Sequence, residues 1–277
     1  MRIAVVSDIH GNLPALEAVL ADIASAGADV TVNLGDILSG PLWPRETAAR
    51  LMPLNLPTIR GNHERQLLTQ PRERMSATDA HTDALLSGAQ RDWLRSLPVD
   101  RWLASDVYCC HGTPQSDLEY WLETVTPGFA RPGEPGVRMA SAEEARARAG
   151  AQHEGAASLM LCGHTHMPRA MQVTPGRLVL NPGSAGLQAY DDAHPHPHVI
   201  ENGSPHARWA LAERSRESWR VQFHAVDYDW ESAARQAEVN GREDWADALR
   251  RGFVGRFETE LGAGSHRPGS GPKALSA

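Results

Sequence analysis

Lysine is almost missing from this chain of 277 residues: Lys273 is the only one, and arginine supplies the rest of the 27 basic side chains. That excludes a Walker-type phosphate-binding lysine and a Schiff-base lysine. Cysteine is scarce as well. Cys109, Cys110 and Cys162 make an odd count with no Cys-x-x-Cys spacing, so no disulfide framework is expected and a reducing compartment fits better. Their apolar neighbours read as core, not as a nucleophile's surroundings. No apolar run approaches the ~20 residues that cross a bilayer. The first residues run straight into an apolar strand without the basic and apolar regions of a signal peptide. The expectation is a soluble, cytoplasmic protein without membrane partners. An excess of positive charge is also lacking. A net charge of −7 leaves no footprint for nucleic-acid polymers or anionic membranes. No stretch interleaves basic with aromatic residues, which disfavours action on long nucleic acids.

What is present is ordinary globular material, 41% hydrophobic and 22% charged, long enough for one large domain or two small ones. Ile3 to Val6 is a short β-branched run that reads as a buried strand. It leads through Ser7-Asp8-Ile9-His10-Gly11-Asn12 into a helix with Leu13, Leu16, Val19, Leu20 and Ile23 at helical spacing. Asn12 is the expected N-cap and Gly27 the stop. Val30 to Leu34 is a second strand, so a right-handed parallel crossover is expected. A helix over 44–51 leads to a third strand, Leu56 to Arg60. Residues 64–97 read as helical, broken at Pro71 and Gly88. Strands follow at 102–103, 107–110, 158–162, 170–173 and 178–180, then an antiparallel pair at 206–212 and 219–226, and helices at 230–239 and 243–250. Between them, 113–150 is loosened by proline and glycine and reads as an insertion flanking the site, with a short helix at 141–149. The Gly/Ser/Pro-rich tail 256–277 is expected to be disordered.

Five of these apolar strands end in a residue able to hold a metal: Asp8 and His10, Asp36, Asn62 with His63, His111, and His164 with His166. Alternate residues of an extended chain point the same way, so Asp8 and His10 can face one point. In open α/β sheets, sites form beyond the carboxyl ends of strands. Any one of these histidines alone reads as a hydrogen-bonded surface or core residue. Together, at five such positions, they read as one shared site. Mixed oxygen and imidazole donors suit Mn²⁺, Fe, Zn²⁺, Ni²⁺ or Co²⁺ better than Mg²⁺ or Ca²⁺.

The blocks Asp-x-His, Gly-Asp, Gly-Asn-His-Glu, His-Gly and Gly-His-Thr-His, in this order over residues 1–185, resemble the calcineurin-like metallophosphoesterases. The turn Asn181-Pro182-Gly183-Ser184 is similar to that of the compact bacterial phosphodiesterases among them. The resemblance implies a four-layer α/β/β/α sandwich with mixed sheets, forming one domain over 1–255. It implies two divalent transition metal ions, Mn²⁺ foremost. Asp8, His10, Asp36 and His166 would hold one, and Asp36, Asn62, His111 and His164 the other, with Asp36 bridging and taking a catalytic part. His63 would be the catalytic non-ligand that protonates the leaving oxygen or steadies the transition state. Ions about 3.5–4 Å apart lower the pKa of a bridging water and clamp an in-line displacement at phosphorus. The expected activity is hydrolysis of a small phosphoester, with a phosphodiester preferred. The alternatives are a phosphomonoesterase or protein phosphatase, a diadenosine polyphosphate hydrolase, or a non-catalytic scaffold, which the complete ligand set disfavours. Oligomeric state is left open.

Further residues carry weaker expectations. Arg60 and Arg65 flank the Gly-Asn-His-Glu block and are candidates for phosphate contact, against ordinary surface solvation. Tyr120 is a candidate substrate contact; it and Trp121 are placed to stack on a base or to serve as hydrophobic anchors. The run His194-Pro195-His196-Pro197-His198 reads as an extended solvated loop rimming the crevice. Glu64 and Asn12 read as supports or caps.

Overall fold

The computed structural model describes residues 1–127, 135–150, 157–216 and 218–255. The tail expected after Gly255 and part of the 113–150 segment lie outside them. Strand β1 (Arg2–Val6) runs parallel to β2 (Val30–Asn33), with Ile3 opposite Val30 and Val6 opposite Asn33. The crossover is helix α1 (Leu13–Ala26); Asn12 Oδ1 accepts from the Ala15 N–H at 3.2 Å at its start, and Gly27 at φ 68° ends it. Helix α2 (Pro44–Leu51) follows. The third strand expected at 56–60 is reduced to one bridge between Asn33 and Thr58. Pro57 has no N–H to offer the ladder, so only its carbonyl and the Ile59 N–H pair with Asn33. Helices α3 (Asn62–Thr69), α4 (Ala77–Leu85) and α5 (Gly88–Ser96) fill the expected helical stretch.

Two sheets carry the fold. Strands β12 (Ala207–Arg214) and β13 (Trp219–Val226) join the first, in the order β13-β12-β1-β2. The second is built from β3 (Arg101–Ala104), β4 (Val107–Cys109), β7 (Leu159–Leu161), β8 (Pro168–Thr174) and β9 (Arg177–Pro182), in the order β3-β4-β7-β9-β8. Both mix parallel and antiparallel pairs. The period-two alternation of a strand assigns each side chain to a layer. Ile3, Val5, Val107, Cys109, Leu159, Leu161 and Ala210 point between the sheets. Ala4, Val6, Trp209 and Leu211 point outward onto α1, α2, α3 and α5. Tyr108, Cys110, Met160 and Cys162 point out of the second sheet onto Trp121, Leu122 and helix α6 (Ala142–Ala149). Helices, two sheets and a further helix thus make four layers. Each fully buried aliphatic side chain contributes about 1.5–3 kcal/mol.

Three smaller pieces surround the carboxyl ends of the central strands. They are the hairpin of β5 (Glu123–Val125) and β6 (Val137–Met139), the hairpin of β10 (Ala189–Asp192) and β11 (His198–Glu201), which meets it where the Val199 N–H donates to the Pro135 carbonyl at 2.9 Å, and the pair α7 (Trp230–Val239) and α8 (Glu243–Arg251). The alanine face of the helix pair packs with Trp245 and Leu249 against Leu42, Leu187 and Ala189.

Candidate metal centre

The loops after β1 and β2 and those after β4 and β7 come from different sheets and meet at one point. The residues that lead there have an unusual backbone. Asp8, His10, Asp36, His164 and His166 all adopt positive φ, between 52° and 68°; among the described residues Asn55 is the only other non-glycine residue that does so. Such left-handed positions cost on the order of 1–3 kcal/mol each and persist only where the surroundings enforce them. Here backbone hydrogen bonds do so: the Asp8 and His10 N–H groups donate to Gly35 and Asp36 carbonyls at 3.0 Å, and Gly163 donates to His111 at 2.7 Å. Two glycines allow the loops to touch. A Cβ on Gly61 would lie 2.2 Å from Asp36 Oδ1, and one on Gly163 would lie 2.0 Å from Ser7 Oγ.

The Asn-Pro-Gly-Ser turn has a physical role. Asn181 Nδ2 donates to the Gly163 carbonyl at 2.7 Å and to Thr165 Oγ1 at 2.9 Å, while Ser184 Oγ donates to the Asp8 carbonyl at 2.8 Å. The turn ties the His164 loop to the Asp8 loop. Glu64 splices the remaining pair: its carboxylate accepts from the N–H groups of Asp36 and Gly61, both at 2.9 Å, and of Ile37 at 2.8 Å. Asn12 donates to the Gly186 carbonyl and to the Tyr228 hydroxyl besides capping α1.

Among the described residues, two triads have ligand atoms close enough to share an ion: Asp8, His10 and His166, and Asp36, His111 and His164. Asn62 joins the second triad, its Oδ1 3.1 Å from His111 Nε2. The imidazoles are oriented by their far nitrogens. His10, His111 and His166 each donate Nδ1–H to a backbone carbonyl, of Ser39, Leu34 and Leu187, at 2.7–2.8 Å. Nε2 is therefore the inward lone pair in all three. His164 is reversed, with Nε2 3.2 Å from the Leu118 carbonyl, which leaves Nδ1 as its acceptor.

This arrangement fits a cation. His10 Nε2 and His166 Nε2 lie 3.1 Å apart with Asp8 Oδ1 3.5 Å from the latter. Two rings whose Nδ1–H groups are both committed to backbone carbonyls turn Nε2 lone pairs toward each other and cannot bond to each other. Two donors each about 2.1 Å from one ion, at right to tetrahedral angles, sit roughly 3.0–3.4 Å apart. Burial, then the neighbouring His166, lowers His10 to about 3 and keeps it neutral; burial, then His111, likewise lowers His164 to about 4. Burial works to raise the carboxyl of Asp36, but the electrostatic pull of the neighbouring His111 and then of His63 outweighs it, and Asp36 stays well below the usual range.

His63 stands beside the triads. Its backbone N–H donates to Asp36 Oδ1 at 3.0 Å, and its ring Nδ1 lies 2.8 Å from Asp79 Oδ1, which also accepts from Ser39 Oγ. Burial alone would lower His63. The charge of Asp36, then the hydrogen bond and charge of Asp79, and the charge of Glu64 override it and raise His63 to about 9. Nothing in the sequence marks Asp79, which is one acidic residue in the first turn of α4, behind the N-cap Ser76.

The triads open into a cavity of about 1220 Å³ walled by α8, the β10–β11 hairpin, the segment 116–125 and the Ser76–Thr78 turn. Arg60 and Arg65 are not among its lining residues; Arg65 is held by Asp117 in a bidentate pair at 2.6 and 2.9 Å. Arg148 and Arg242 line it instead. Tyr120 does line the cavity, whereas Trp121 is buried behind it with its indole N–H on the Ala145 carbonyl. The His-Pro repeat departs from a solvated loop at its end. His194 is exposed on the rim, but His198 begins β11, is 1% exposed, and faces the Tyr120 hydroxyl at 2.9 Å. Pairing of the hairpin, invisible to local pattern, buries it.

A double-sheet sandwich with two histidine–carboxylate triads at the strand ends defines a metal-binding class. The family model described as calcineurin-like phosphoesterase matches residues 1–168, and the chain belongs to that family, which uses divalent metals. It is similar to the crystal structure of a metallophosphoesterase from Sphaerobacter thermophilus, at 27% identity and a TM-score of 0.65, over 90% of this chain and 98% of that one. It is also 24% identical over 267 residues to an uncharacterised protein of Methanocaldococcus jannaschii, covering 92% and 98% of the two chains.

Proposed function

We propose that this protein is a two-metal phosphodiesterase acting on a small molecule. The observation that carries the reading is the pair of adjoining triads, one around Asp8 and one around Asp36, with His63 alongside. Asp8, His10, Asp36 and His166 would hold one ion and Asp36, Asn62, His111 and His164 the other, with Mn²⁺ the foremost candidate. Bound there, such ions supply Lewis acidity and a nucleophile from water at neutral pH. The chain's own residues do the rest. Glu64 fixes the Asp36 and Gly61 backbones so that the bridging carboxylate cannot swing. The Asp79 carboxylate orients the His63 ring and holds its proton, so that the imidazolium can donate to the departing alkoxide. The walls around the site support a small substrate over the surface of a folded protein, which argues against a protein phosphatase.

The test is hydrolysis of bis-p-nitrophenyl phosphate against p-nitrophenyl phosphate by metal-stripped protein reloaded with Mn²⁺. A metal-dependent preference for the diester of tenfold or more, worth ~1.4 kcal/mol of barrier, supports the reading. A reversed preference moves the assignment to a phosphomonoesterase.

A further inference from the structure

The charged side chains that line the cavity outside the triads are answered within the protein, and that constrains the part of the substrate that is not phosphate. Glu123 Oε1 accepts from Arg169 at 2.7 Å. Glu119 lies 3.8 Å from Arg148, which also donates to the carbonyls of Trp121 and Glu123 and to Thr124 Oγ1. Asp192 accepts from the His194 N–H at 2.9 Å and lies 3.6 Å from its ring Nδ1. Asp191 is engaged as well, and Arg242 and Asp244 form a bidentate pair at 2.9 and 2.6 Å. Neither an ammonium group nor a second phosphate meets an open counter-charge here. Burying an ion without one is costly, so the lining suits a neutral group.

What the lining does offer is neutral hydrogen bonding with a direction. His198 donates Nδ1–H to the His196 carbonyl at 2.8 Å, so in its neutral form Nε2 takes the Tyr120 proton at 2.9 Å. Tyr120 then has only lone pairs for Tyr190, 2.6 Å away, and Tyr190 spends its own proton there or on the His164 carbonyl at 3.3 Å. The chain of protons ends on the Tyr190 oxygen, which keeps lone pairs for the cavity it lines. Hydrogen bonds in such a chain polarise one another and strengthen the terminal acceptor. This acceptor stands close to the triads, because the Tyr190 ring centroid lies 4.7 Å from that of His166. Thr124 Oγ1 is its complement: it accepts from Arg148 at 2.8 Å, which leaves its own proton as a donor to the same cavity. Gln66, Ser76 and Thr78 add further uncharged polar groups to the lining. Acceptors and donors that ask for no charge are the partners of alcohol hydroxyls, each of which both donates and accepts.

We propose, building on the phosphodiesterase reading, that one alcohol of the substrate is a neutral polyhydroxy group, with the phosphate toward the triads and a hydroxyl donating to the Tyr190 oxygen. Tyr190 is then a specificity-determining residue. A dinucleoside polyphosphate would bring further phosphates to a lining without an open cation.

The p-nitrophenyl phosphodiesters of glycerol and of propanol share a single negative charge and a leaving group and differ only in hydroxyls. On Mn²⁺-reloaded protein, kcat/KM for the glycerol ester is expected to exceed that for the propyl ester by tenfold or more. Turnover is counted where phosphorus NMR shows linear glycerol phosphate, not the self-cyclised ester, as product. Tyr190→Phe removes the acceptor and should bring that ratio to within about threefold of one; as a ratio, it is unmoved by loss of folded or metal-loaded protein. Calorimetry on the unsubstituted protein should show glycerol phosphate binding at least tenfold tighter than propyl phosphate, a test that needs neither turnover nor a variant. A ratio near one in either readout overturns the inference, as does a ratio that survives Tyr190→Phe. So does a preference for p-nitrophenyl phosphocholine over the glycerol ester, which would make the lining cation-selective. With bis-p-nitrophenyl phosphate as control, its turnover without a hydroxyl preference sinks this inference alone. Failure of all these diesters sinks the phosphodiesterase reading and this inference together.

Discussion

At the scale of single residues, the candidate ligands are legible in the sequence because each follows an apolar strand, and strand ends are where an α/β sheet builds a site. What sequence could not carry is how they are held. Five ligands in left-handed backbone are compatible with Asp and His, which tolerate that region better than most residues, but nothing local demands it. Asp79 was equally silent: sixteen positions separate it from His63, and only the packing of α3 against α4 brings them together. Its role gives a test. Asp79→Asn should leave metal content unchanged but removes the charge that faces His63, so kcat should fall roughly 10–100-fold, within the range for a displaced general acid. The loss should be larger for poor leaving groups, as in His63→Ala. The pH sign is definite. His63 in the fold is raised above its ordinary 6.5 to about 9, so the ion pair stabilises fully below about pH 6.5 and is lost as the pH climbs through 9. The alkaline limb of kcat should therefore move to lower pH in Asp79→Asn. An unmoved limb with metal content unchanged would show that Asp79 is only structural.

At the scale of elements, the period-two strands and the amphipathic helices were legible to within a residue or two, because each buries one face. Helix α1 begins and ends at the expected Asn12 and Gly27, and β12 and β13 pair antiparallel as read. The short third strand was not legible in its failure: its apolar pattern holds, but Pro57 limits it to a single bridge. Nor was the fate of His198, whose burial depends on a hairpin register from Ala189–Glu201 to Asp192–His198. The turn 181–184 was recognised as a motif, and the hydrogen bonds supply its reason. Ser184 is fully buried, donates to the Asp8 carbonyl, and accepts from the Leu187 N–H at 2.8 Å. Ser184→Ala leaves the buried Leu187 N–H without its acceptor, at about 1–3 kcal/mol, and leaves the Asp8 carbonyl with the Gly186 N–H alone. For a domain near this size each kcal/mol shifts Tm by about 2–4 °C. A fall in Tm of several degrees, with weakened metal retention, is expected in a thermal melt; an unchanged melt would mean that the turn does not secure the Asp8 loop.

At the scale of the whole molecule, metal and fold should be linked. The site is the point where loops from both sheets converge, and in the absence of cations it gathers buried carboxylates, imidazole lone pairs and left-handed backbone in one place. Cations that bind the folded chain and find no such cage in the unfolded one stabilise by mass action. At a free concentration 100 times the dissociation constant, one site adds about 2.7 kcal/mol, which at about 2–4 °C per kcal/mol is a rise of roughly 5–10 °C in Tm. Chelation should lower Tm by at least that amount, and Mn²⁺ should restore it. Asp8→Asn separates this from a general salt effect. It removes a carboxylate from the first triad only, so the Mn²⁺-induced rise should shrink without vanishing. Asp36→Asn, which on the proposed bridging role serves both ions, should abolish most of it and leave metal analysis reading well below two ions per chain. A full rise in Asp36→Asn would mean that the two triads do not share this carboxylate, and one ion or two independent sites would have to replace the bridged pair.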